Sequence, residues 1–78
     1  MTTSTYILIQ TTAGKAAEVA KQAKNISGVI SAEVVTGPYD IIIKAQGSSL
    51  DKLGKMVVSR IQVLDGIAHT LTCPIVNL

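Results

Sequence analysis

The chain is poor in aromatic side chains, with two tyrosines and no phenylalanine or tryptophan among its 78 residues. An RNA-recognition module needs stacking aromatics on its central strands within a basic surround, and Tyr6 and Tyr39 alone do not supply that platform. Cysteine is nearly absent. The single Cys73 cannot close an internal disulfide, and without CxxC or CxxH spacing it gives no metal framework, so it reads as a small apolar residue of a strand. Charge is scarce as well: Asp, Glu, Lys and Arg make up 15% of the chain, against roughly 25% in globular chains generally. Seven basic and five acidic side chains leave a net charge of +2, and the lysines at 15, 21, 24, 44, 52 and 55 are scattered, so direct DNA binding is not expected. Long hydrophobic runs are missing too, since the unbroken apolar stretches fall far short of the ~18 residues of a membrane span. Tyr6 to Ile9 is too short for the core of a signal peptide, and no Lys or Arg precedes it. The expectation is a cytoplasmic protein without membrane contact.

What is present is apolar. Hydrophobic residues fill 47% of the chain and the mean hydropathy is +0.43, which excludes a disordered chain. Seventy-eight residues have room for one hydrophobic core, so a single domain over 1–78 is expected. An apolar chain with so few charges points to self-association.

Thr5 to Thr11 is rich in β-branched residues and ends at Thr-Ala-Gly, a strand followed by a turn. From Ala13 to Asn25 the alanines at 13, 16, 17, 20 and 23 recur at helical spacing between charged residues, which predicts an amphipathic helix with a small-residue face. Val29 to Thr36 and Asp40 to Gln46 are two strands joined by Gly37-Pro38-Tyr39, an antiparallel hairpin. Ser48 or Ser49 caps a second helix, with Asp51 in its first turn and Leu50, Leu53, Val57, Ile61 and Leu64 along one face. After Asp65-Gly66, Ile67 to Val76 alternates as a last strand, with Pro74 near its end.

The order β-α-β-β-α-β is the ferredoxin-like arrangement, an α+β fold with both helices on one face of a four-stranded antiparallel sheet. In these strands both alternating sets are largely apolar: Ile7 and Ile9 against Tyr6 and Leu8, Ile41 and Ile43 against Ile42, Val34 against Val29 and Val35. Two helices cannot cover both sides of a sheet, so the other face is expected to pack on a second chain, giving a dimeric α/β barrel.

That fold hosts many activities and selects none of them. A metal chaperone of this topology needs paired cysteines in the first loop, where this chain has Thr11-Thr12-Ala13-Gly14. There is no glycine-rich phosphate cradle, no catalytic triad that can be chosen without arbitrariness, and no cofactor or metal motif. His69, the one histidine, reads as an ordinary strand residue. Asp40 suits either a bond to nearby backbone amides or a ligand contact, and Tyr39 either an oligomer contact or a pocket wall.

The run Val34-Val35-Thr36-Gly37-Pro38-Tyr39-Asp40-Ile41-Ile42-Ile43 resembles the strand, G-x-Y-D turn and strand of the effector-binding domain in the Lrp/AsnC (feast/famine) transcriptional regulators. Ile26-Ser27-Gly28-Val29 resembles the family's lead into that hairpin, and Leu64 to Thr72 resembles its Gly-Val and Thr-x-Thr lead into the last strand. The resemblance covers essentially the whole chain. In that family the domain, called RAM, forms dimers that assemble further, and small effectors, typically amino acids, bind between dimers near the turn and the last strand. Carried over by position, this implies Gly37, Tyr39, Asp40, Thr70 and Thr72 as effector-binding residues. The chemistry agrees, because a zwitterion needs an anionic acceptor for its ammonium and neutral donors for its carboxylate. The regulators also carry a helix-turn-helix segment N-terminal to this domain, and the expectation here is a domain without one.

The resulting expectation is a stand-alone RAM-type sensing module, not an enzyme and without cofactor or metal. Its expected partners are a small-molecule effector, an amino acid, and copies of itself as a dimer or a tetramer or octamer of dimers, with a full-length Lrp/AsnC-type regulator as a further partner. A dimeric α/β-barrel enzyme using His69 or Asp40, and a purely structural oligomerisation module, are the alternatives.

Overall fold

A computed structural model describes residues 2–76, the side chain of Met56 excepted. The strands are β1 (Thr3–Thr11), β2 (Val29–Val34), β3 (Ile41–Gly47) and β4 (Ile67–Pro74), and they form one antiparallel sheet in the order β2-β3-β1-β4. Helix α1 (Ala16–Ala23) joins β1 to β2. Helix α2 joins β3 to β4 through three consecutive segments, α-helical at Leu50–Leu53, π-helical at Gly54–Val58 and α-helical again at Ser59–Gln62. The ferredoxin-like α+β order expected from the sequence is the order observed.

One sheet face is sealed by the helices. Thr5, Ile7 and Ile9 of β1, Ala32 of β2 and Ile41, Ile43 and Ala45 of β3 are buried against Val19, Ala20 and Ala23 of α1 and Leu53, Val57 and Ile61 of α2. Registry explains this, since Ile7 lies opposite Ile43 and Ile9 opposite Ile41, and a side-chain period of two keeps such partners on one face. The alternate residues face the other way. Tyr6, Leu8, Ile42, Leu71 and Cys73 are neighbours on the uncovered side, with Tyr6 40% and Leu71 47% exposed.

Several boundaries differ from the sequence reading for identifiable reasons. β1 begins at Thr3 because Thr3 and Ser4 still pair with Gly47 and Gln46. α1 closes at Ala23, where the Asn25 and Ile26 N–H groups turn back to the carbonyls three residues before them and tighten the last turn. Ser49 is the cap of α2, its hydroxyl accepting from the Lys52 N–H at 3.2 Å. Leu50, expected on the buried stripe, is 52% exposed, because it stands at the first residue of α2, ahead of the buried Leu53. The pairing of β2 with β3 shifts between Val29 and Ser31, which leaves Ile30 as the extra residue of a bulge and 52% exposed.

The π segment follows from its own bonds. The Ser59 N–H reaches the carbonyl of Gly54, five residues back, and the Lys55 carbonyl freed by that step accepts the Ser59 hydroxyl. No periodicity in the sequence signals that extra residue.

Candidate functional site

The turn between β2 and β3 is the most heavily bonded loop at its end of the sheet. Gly37 adopts φ +129°, a backbone region that other residues rarely occupy, and it is exposed with open space around it, so the requirement there is conformational. Pro38 fixes the next φ, and its carbonyl accepts the Gln10 side-chain amide at 2.8 Å. Asp40 closes the loop. Its carbonyl accepts the Val35 N–H at 2.8 Å, and its own N–H donates to the Ile9 carbonyl at 2.8 Å.

The Asp40 carboxylate is half-buried and engaged within the chain. Its Oδ2 accepts the Thr11 N–H at 2.8 Å and the Thr11 hydroxyl at 3.2 Å, where β1 has run past its pairing with β3. Of the two readings of Asp40, backbone bonding is therefore realised, but with an amide 29 residues away rather than one inside the turn. Tyr39 is half-buried at the tip beside it.

Thr70 and Thr72 stand across β1 from this turn. Thr70 is opposite Ile9 and Thr72 opposite Ile7, so both hydroxyls lie on the helix-covered side of β4, an edge strand, and both are half-buried. The Thr70 Oγ1 is 3.4 Å from the side-chain amide of Gln62 at the end of α2, which donates to it. The five candidate residues thus form two groups flanking β1: Gly37, Tyr39 and Asp40 beyond β3, and Thr70 and Thr72 on β4. Asp40 and Thr70 are level with the same end of β1, while Thr72 sits two residues further along.

Three polar residues at this end were not anticipated from sequence: Gln10, Thr11 and Gln62. Thr11 and Gln62 bond the candidates Asp40 and Thr70, Gln10 bonds the turn at Pro38, and no local motif announces such partners. His69 is exposed opposite Gln10 on the uncovered face. Among the described residues no group of three or more His, Cys, Asp or Glu could hold a metal ion, and no helix is long and apolar enough to cross a membrane. Two cavities, of about 160 and about 320 Å³, open at the other end of the sheet and are lined by none of the five candidates.

Residues 4–77 match the family model of the Lrp/AsnC ligand binding domain. A curated relative, an uncharacterized HTH-type transcriptional regulator of Pyrococcus furiosus, is 33% identical over 55 residues, covering 70% of this chain and 37% of the relative. The matched segment therefore spans well under half the length of that regulator. Among solved structures, a hypothetical protein of Pyrococcus horikoshii superposes with a TM-score of 0.87 at 31% identity, covering 100% of this chain and 93% of the other. AsnC of E. coli gives 0.86 at 26% identity, covering 97% of this chain and 52% of AsnC.

Proposed function

This chain belongs to the Lrp/AsnC ligand-binding domain family, and we propose that it is a sensing module that binds a small amphoteric molecule, an amino acid, and acts through assembly with copies of itself or with a full-length regulator. The observation that carries the reading is the turn at 37–40. It is held to the end of β1 by bonds from Gln10 and Thr11 and by a bond to the Ile9 carbonyl, and it presents a carboxylate that uses Oδ2 for the Thr11 bonds. A carboxylate offers about four acceptor positions, so Asp40 retains capacity for an ammonium group. Thr70 and Thr72, on the edge strand across β1, supply neutral hydroxyls of the kind an effector carboxylate takes as donors. The uncovered apolar face supports self-assembly, because a sheet side carrying Tyr6, Leu8, Ile42 and Leu71 loses contact with water only when another surface covers it.

A thermal-shift screen against the twenty amino acids, followed by calorimetric titration, tests this. A ligand at 100 times its dissociation constant should stabilise the fold by about 2.7 kcal/mol. Asp40→Asn keeps an oxygen able to accept the Thr11 N–H and removes the charge. It should weaken the ligand by about 1.5 to 3 kcal/mol, with a smaller loss in Thr70→Val. No stabilisation by any amino acid, or wild-type affinity in Asp40→Asn, defeats the assignment. Turnover abolished only by His69→Ala would favour the barrel-enzyme reading instead.

A further inference from the structure

The two halves of the chain repeat one arrangement and differ in how a single space is filled. Exchanging β1 with β3 and β2 with β4 turns the sheet order β2-β3-β1-β4 into its own reverse. Gly28 before β2 and Gly66 before β4 are equivalent under that exchange. Their φ angles are +98° and +100°, and their carbonyls accept the N–H groups of Gln46 and Thr12, each at 2.8 Å. Each lies against a valine of the other half's helix. A Cβ on Gly28 would stand 2.8 Å from the Val57 Cγ2, and one on Gly66 would stand 3.1 Å from the Val19 Cγ2.

The residue one helical turn before that valine sets the halves apart. In α1 it is Lys15, whose Cβ and Cγ would lie 2.8 and 3.1 Å from the same added Cβ on Gly66. Its stem fills that space, and its ammonium reaches Asp65 at 3.7 Å and Glu18 at 3.9 Å. In α2 it is Leu53, which packs beside Gly47 and places no atom within 4 Å of a Cβ on Gly28. A cavity of about 160 Å³ is left beside Gly28, bounded by Leu53 and Val57 of α2, Gln46 and Gly47 of β3, and the exposed Ser27 and Lys52. Leu53 and Val57 are core residues of the helix-covered side, so this cavity is apart from the sheet face that a second copy is expected to cover.

The charges at the two places are reversed. Asp65 precedes Gly66, whereas Ser27 precedes Gly28, and the one ionisable residue lining the open cavity is the cation Lys52. An aliphatic stem ending in an ammonium fits beside Gly66, and beside Gly28 the matching stem ends in an anion. We propose that this cavity binds a short aliphatic carboxylate, its chain against Leu53 and Val57 and its carboxylate at the Ser27 hydroxyl and the Lys52 ammonium. Cavities on the order of 150 Å³ admit benzene, so the space suits a ligand of about six heavy atoms, the size of butyrate. None of its lining residues belongs to the Asp40 turn, so the two occupancies are separable.

The test is a titration of the isotopically labelled full chain with sodium butyrate, followed by amide resonances at an ionic strength held constant with sodium chloride. Saturable shifts are expected at Gly28, Gly47 and Leu53, and they should persist in Asp40→Asn. Acetate, two methylenes shorter, should bind about fifteenfold more weakly, since each buried methylene is worth about fourfold. Lys52→Met should weaken butyrate about fivefold. Ser27→Asp copies the acid of the filled half; it should weaken butyrate about tenfold or more and raise the affinity for n-butylammonium. Both substituted side chains are exposed, so neither change disturbs the core. Equal affinity of acetate and butyrate, or of n-butylammonium and butyrate for the native chain, overturns the assignment of the ligand. Shifts that never saturate or that vanish in Asp40→Asn, or native butyrate affinity in Ser27→Asp or Lys52→Met, overturn the site.

Discussion

At the scale of the residue, Asp40 shows how a side chain can be recognised from sequence while its partner is not. Its position after Gly-Pro-Tyr marked it as a residue of consequence, and a short carboxylate near a turn ordinarily bonds backbone within two or three residues. The amide it meets belongs to Thr11, which comes alongside only because β1 pairs with β3 in the register Ile9 to Ile41. Long-range registry of that kind has no local signature. The arrangement makes a stability statement: Asp40→Ala leaves the half-buried Thr11 N–H and hydroxyl without their charged acceptor and should cost about 1.5 to 3 kcal/mol in chemical denaturation. Thr11→Val removes only the longer of the two bonds and should cost about 1 kcal/mol. Equal effects of the two variants would mean that the carboxylate does not hold the end of β1.

At the scale of the element, the strands were the most legible, because β-branched runs bounded by Gly, Pro and Ser mark them directly. The buried positions of α2 were legible at Leu53, Val57 and Ile61, which keep four-residue spacing. What escaped was the π turn between the two α-helical pieces, since it depends on a backbone bond from Ser59 to Gly54 and not on any apolar pattern. Gly54 lies in this helix with open space where a Cβ would stand. Gly54→Ala should therefore stabilise the fold by about 0.5 to 1 kcal/mol through helix propensity, measured at equal protomer concentration because assembly adds to apparent stability. A loss of stability in that variant would show that the extra backbone freedom is needed to accommodate the π turn.

At the scale of the whole molecule, alternation along β1 and β3 already showed that one layer of helices could not cover every apolar side chain. Which residues share the exposed side came only with the pairing of Tyr6, Leu8 and Gln10 against Cys73, Leu71 and His69. For the same reason the sequence could place Thr70 and Thr72 in the last strand without showing that they lie on the helix side of it. Leu71 separates assembly from folding. It is 47% exposed, so Leu71→Glu should change the stability of an isolated protomer by no more than about 0.5 kcal/mol, yet it would set carboxylates into a closed apolar contact. The measurement that bears most directly on sensing through assembly is the molar mass by light scattering after size exclusion at micromolar concentration. The account expects at least twice the 8.2 kDa of one chain for the native protein, and a shift toward the single-chain mass for Leu71→Glu. A native protein eluting as a stable, monodisperse 8.2 kDa monomer would contradict it.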